Sequence, residues 1–144
     1  MGRTNKNKLV YALFGVTFVL IVSSVLVFLS RPLEVKEFEV IFFIKSGGAG
    51  FDLNGTALTF GSIPPGGAGR RSLIIENKWG FPVEARFFVS KDIAEFIEAP
   101  SSILLHSREN TTLEIVVRIP KDTPDGKHKG KIKIKFYRVT SSVP

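Results

Sequence analysis

One stretch decides most of what this chain can become. Residues 9–30, LVYALFGVTFVLIVSSVLVFLS, hold no charged side chain, and their polar ones are Tyr11, Thr17, Ser23, Ser24 and Ser30. Crossing a bilayer core takes about 20 apolar residues at about 1.5 Å each, and the run meets that length. It is too long for the apolar region of a cleaved signal peptide, which takes about 7–15 residues. The junction after it, Phe28-Leu29-Ser30-Arg31-Pro32, lacks a small-residue cleavage site. Val22-Ser23-Ser24 is a weaker site, and its use would leave VLVFLS exposed. A buried core helix is the other alternative, and it would need helices around it.

The run therefore reads as an uncleaved signal anchor over 9–30, after a basic tip over 1–8. Arg3, Lys6 and Lys8 precede it. Arg31 and Lys36 follow, offset by Glu34 and Glu37. Basic residues favour the cytoplasmic side and acidic ones count little. The expected topology is a single pass through the plasma membrane, with the N-terminus cytoplasmic and residues 31–144 outside. Two Asn-x-Thr triplets, at Asn54 and Asn110, agree with an outside location and are candidate glycosylation sites.

Of the chain's 20 basic residues, three lie in the tip, while all 13 acidic residues lie beyond residue 30. The outer part is thus only modestly basic, with no dense basic patch interleaved with aromatic or turn motifs of the kind a nucleic-acid surface needs. There is no cysteine. Disulfides, thiol catalysis and thiolate metal sites are excluded, and an exported domain must be held by its core.

Beyond a tether over 31–34, the pattern is one of strands. Glu34 to Lys45 places Phe38, Val40, Phe42 and Ile44 on one face at period two, with Ile41 and Phe43 on the other. That predicts burial on both sides of this strand, or cover by another. Shorter runs follow at Leu58–Gly61, Arg71–Asn77, Val83–Val89, Ile103–Leu105, Leu113–Ile119 and Gly130–Arg138, with Ile93–Ile97 read as a helical turn or an edge. Gly, Pro and Asn turns separate them, as in Ile63-Pro64-Pro65-Gly66-Gly67 and Lys121–Gly126. The sum is an all-β body over 35–138, a β-sandwich of about seven strands, with a tail over 139–144.

The strand pattern resembles the immunoglobulin-like domains of the MSP/ASH and PapD-like kind. The residues that carry the likeness are Leu58-Thr59-Phe60-Gly61, Ile63, Gly66, Arg71-Ser72-Leu73, Ile75 and Asn77. Later come Pro100, Leu105, Thr112-Leu113, Val116-Val117, Ile119-Pro120, Gly126, Gly130, Ile132 and Ile134. These are apolar and turn positions, so the resemblance implies an Ig-like fold and a structural or binding module, with no catalytic residues to carry over. Similar domains occur in membrane-anchored surface proteins of prokaryotes, archaea included. A basic tip, one apolar helix and a β-sandwich also resemble archaeal pilins and the anchored subunits of the archaellum stator. A processed pilin has a small residue just before its apolar run, whereas Lys8 stands there in this chain.

Candidate sites are few. Lys127, Lys129, Lys131, Lys133 and Lys135 alternate, so on a strand they share one face while Ile132, Ile134 and Phe136 point inward. That face suits an anionic surface. It equally suits a solvated face whose lysines deter edge-to-edge aggregation. Trp79 and Phe81 sit in a turn, as an interaction point, a membrane-interface anchor or packing over the end of the domain. Ser46-Gly47-Gly48-Ala49-Gly50 lacks the Gly-Lys-Ser/Thr ending of a phosphate loop. His106 and His128 have no ligand spacing between them, and Asp122 and Asp125 read as turn residues. No metal, cofactor or enzyme activity is expected. The expected role is that of a surface protein that binds or braces another envelope component. The alternative is a subunit of a filament machine that assembles through its N-terminal helix. An accessory presenting a substrate near the membrane is a third reading.

Overall fold

The computed structural model describes residues 3–47 and 58–139. The chain divides into two units, residues 1–31 and 32–144. In the first, α1 runs Arg3–Leu29, and beyond Lys8 it carries no charged side chain on any side. Its stretch Lys8–Phe28 is long and apolar enough to cross a membrane, and none of it is buried. A helix apolar all round is stable only inside a large core or in lipid. The Thr17 hydroxyl donates to the Leu13 carbonyl at 2.9 Å, so that polar group is satisfied within the helix itself.

In the second unit the regular structure of the described residues is β. Among the described residues the strands are β1 (Glu34–Ile44), β2 (Leu58–Ile63), β3 (Ala68–Glu76), β4 (Val83–Val89), β5 (Ile97–Glu98), β6 (Ser102–Leu105), β7 (Asn110–Arg118) and β8 (Gly126–Arg138). They form two sheets, one ordered β2-β1-β8-β4-β6 and the other β3-β7-β5. β1 pairs parallel with β2 and antiparallel with β8. At period two the strands turn Val40, Phe42 and Ile44, then Val83, Ala85 and Phe87, then Ile132, Ile134 and Phe136 into the core. Ile75, Ile115 and Val117 meet them from the three-stranded sheet, so both sheets share one apolar cluster.

Three differences from the sequence reading have physical causes. β8 begins at Gly126 rather than Gly130, because all eleven residues of β1 find a partner on it, from Glu34 opposite Phe136 to Ile44 opposite Gly126. Its first residues lack apolar alternation, which hides them. β1 is interior to its sheet, but its second face is not closed over: Ile41 is half-buried and Phe43 is exposed. The Ile93–Ile97 piece is a hydrogen-bonded turn leading into β5, and it drives Ile93 and Phe96 into the core. That turn explains Gly130. A Cβ there would lie 2.5 Å from Ser90 Oγ and 2.6 Å from Ile93 Cγ1. Gly61 adopts φ 69° beside the β1–β2 register shift at Ile41/Phe42, a conformation that glycine enters at little cost.

Candidate functional site

The outer face of the five-stranded sheet collects the lysine row. Lys127, Lys129, Lys131 and Lys133 are exposed on β8, and Lys135 is half-buried. Their strand lies between β1 and β4, not at an edge. The lysines therefore do not guard a free edge, and that reading is corrected. What they do is pair across the sheet. Register places Glu39 opposite Lys131 and Glu37 opposite Lys133. Lys131 Nζ lies 2.5 Å and Lys133 Nζ 3.1 Å from the Glu37 carboxylate, and Lys129 Nζ lies 2.7 Å from Glu39.

The hydrogen bonds from Lys131 and then Lys133 hold the Glu37 carboxyl below the ordinary glutamate range, and Glu37 in turn raises Lys131. The two ends of the row rest on rings instead. Lys127 Nζ is 5.5 Å from the Phe43 ring centre and Lys135 Nζ 4.8 Å from that of Phe88. On β4, Arg86 pairs with Glu84 at 2.7 Å and covers the Tyr137 ring at 4.7 Å. Around these charges Val35, Phe43, Phe88 and Leu104 stand exposed. The face is thus cationic, apolar in patches, and fixed by a five-stranded ladder.

The other predicted residues fall elsewhere. Trp79 and Phe81 are half-buried, with Trp79 5.8 Å from the Phe136 ring and 6.4 Å from Phe81. Both pack on the core, and Arg138 stacks over Phe81 at 4.1 Å. Asn110 is exposed at the first position of β7, on the three-stranded sheet. Asn54 lies outside the described residues, as do residues 48–50 of the glycine loop. His106 is exposed. His128 turns inward between Phe42 and Phe96, with ring centres 5.2 and 5.0 Å away. Asp125 accepts from the Ser46 amide and hydroxyl, at 3.1 and 2.7 Å, and these bonds hold its carboxyl below the usual range. These bonds tie the β7–β8 turn to the end of β1, so Asp125 is held by a residue distant in sequence rather than by a local Asx-type turn. Among the described residues no cluster of His, Cys, Asp and Glu could hold a metal ion. A shallow cleft of about 260 Å³ lies between Phe96 and Ile119, but its Arg118 and Glu98 pair with each other at 2.7 Å.

One organising residue was not singled out from sequence as a site. Asn77 is fully buried. Its Nδ2 donates to the carbonyls of His106 at 2.7 Å, Phe81 at 2.8 Å and Leu105 at 3.3 Å, and its Oδ1 accepts from the Trp79 amide at 2.9 Å. The only signal was an Asn closing a strand before the Lys-Trp-Gly turn. No protein-family model, curated protein or solved structure matches this chain.

Proposed function

We propose that this is a non-enzymatic, single-pass surface protein of the plasma membrane. Its helix anchors it with the N-terminus cytoplasmic, and its extracytoplasmic β domain binds or braces another envelope component. The observation that carries this reading is the outer face of the five-stranded sheet. Five lysines and Arg86 stand there among exposed Val35, Phe43, Phe88 and Leu104, on a backbone fixed by hydrogen bonds. Exposed apolar patches within a polar surround favour a protein contact, and the charge favours an acidic one.

The same reading takes the two sheets as an Ig-like sandwich of the MSP/ASH or PapD-like kind. β3 and β7 would answer strands B and E, and β4 and β8 strands C and F. β1 would then stand where strand G belongs, antiparallel to F but arriving from the N-terminal side.

The test is site-specific photocrosslinking in native membranes. A crosslinker at Leu104 or Phe88 should capture a discrete partner, and one at Ile74 on the opposite face should not. Equal capture from both faces, or from neither, contradicts the proposal. A notch on α1 at Gly15, bounded by Ala12, Val16 and Val19, favours a second reading in which copies assemble through the helix as in a filament machine. Ordered filaments in negative stain of detergent-extracted protein would select it over the first.

A further inference from the structure

Four segments meet at one end of the β domain. The Leu33 amide, at the entry to β1, donates to the Phe136 carbonyl at 2.7 Å, and the Val139 amide, at the exit from β8, donates to that of Pro82 at 3.2 Å. The β3–β4 and β6–β7 turns are joined by Arg108 N–H to the Trp79 carbonyl at 3.2 Å and Asn77 N–H to that of Glu109 at 2.8 Å. The buried Asn77 amide then pins both turns to the end of β6. This end is a rigid platform, since its backbone groups are satisfied by one another.

The platform carries Lys78, Arg108 and Arg138, all exposed. Among the described residues none of the three is in an ion pair, whereas three lysines of the β8 row are matched to glutamates. Of the acidic groups at this end, Glu109 is engaged by the His106 amide at 2.6 Å, Glu34 at the start of β1 lies 4.0 Å from the Lys36 ammonium, and Glu76 is exposed at the end of β3. Between the cations lie Phe81, under the Arg138 guanidinium, and Trp79 beside it. Leu33 is 42% exposed. Only Ser30 to Leu33 separate the last residue of α1 from the first of β1, a reach of at most about 14 Å.

We infer that this end of the domain docks on the anionic phospholipid headgroups of the bilayer that holds α1. The inference rests on α1 spanning that bilayer. Guanidinium and ammonium groups bind phosphate, and Trp and Phe side chains favour the interfacial layer between water and hydrocarbon. The short tether keeps the platform within reach, and the Asn77 pin holds its turns in place, so docking orders little that was free.

Trp79 is the chain's only tryptophan, so its emission reads this end of the domain. The full chain is reconstituted in vesicles of phosphatidylcholine alone, or with phosphatidylglycerol, with and without lipid brominated near the headgroup. With phosphatidylglycerol, Trp79 emission should shift to the blue and be quenched by bromine, and salt should reverse both. The combined variant Lys78→Gln, Arg108→Gln, Arg138→Gln should weaken the docking equilibrium constant by about fivefold per cation removed. A nitroxide on Gly80→Cys, where an added Cβ meets open space, should report the same lipid dependence. Equal emission and quenching in the two lipid mixtures would overturn the inference, whether or not the variant folds. Flotation with the vesicles separates the failures. A chain that floats but is not quenched loses this contact alone, and a chain that does not float loses the anchor as well.

Discussion

The two sheets share a core but present opposite characters to solvent. The outer face of the five-stranded sheet carries a lysine row, three of whose members are matched to Glu37 and Glu39, with Val35, Phe43, Phe88 and Leu104 exposed between them. The outer face of the three-stranded sheet pairs Arg70 with Glu114 and Arg118 with Glu98, and among the described residues Ile74 is its one large exposed apolar side chain. It also carries Asn110, the acceptor of a glycosylation triplet. A glycan would keep a face in water, and exposed aromatics invite cover. The asymmetry teaches that the charge pairs on β8 surround exposed apolar side chains, whereas those of the three-stranded sheet surround one, Ile74. Exposed pairs of this kind contribute little to stability.

The comparison breaks if the two faces can be uncoupled from their core. Phe136 is fully buried behind the lysine face and touches Trp79 at the platform. Phe136→Ala should destabilise the domain by about 4 kcal/mol, with both faces lost in one transition under chemical denaturation. Loss of the five-stranded sheet alone would show that the core is not shared. A smaller effect is expected from Gly130→Ala, since its Cβ would press on Ser90 and Ile93. Overpacking of this kind costs about 2 kcal/mol, read as a lower denaturant midpoint.

Charge changes should be smaller still. Glu37 has its carboxyl depressed by Lys131 and Lys133. A group whose pKa is lower folded than unfolded stabilises above its unfolded pKa, and that contribution is lost as pH falls through the folded value. Stability should therefore decline as pH drops below the ordinary carboxylate range, and Glu37→Gln should flatten that decline in a denaturation series. At neutral pH Glu37→Gln should not move the denaturation midpoint as far as Gly130→Ala.

How far the sequence shows this varies by region. The apolar run 9–30 is plain in one dimension, and α1, with its stretch Lys8–Phe28 long and apolar enough to cross a membrane, lies where composition puts it. The common face of the five lysines is also legible, because alternation on one strand is local. Their partners are not. Glu37 and Glu39 lie some ninety residues upstream, and only the β1–β8 register brings them across from Lys131 and Lys133. The interior position of β8 is hidden for the same reason, since strand order is set by long-range pairing. Asn77 reads as an ordinary strand end, because its four hydrogen bonds come from two turns that meet only in the fold.

The central claim is that α1 crosses the membrane and holds the β domain outside it. The chain has no cysteine, so a single introduced one can be read without background. Ser102→Cys is exposed on β6, and Thr4→Cys lies in the basic tip. A membrane-impermeant maleimide applied to intact cells should label Ser102→Cys at once and Thr4→Cys only after lysis. Labelling of Thr4→Cys on intact cells, or of Ser102→Cys only after lysis, would contradict the account.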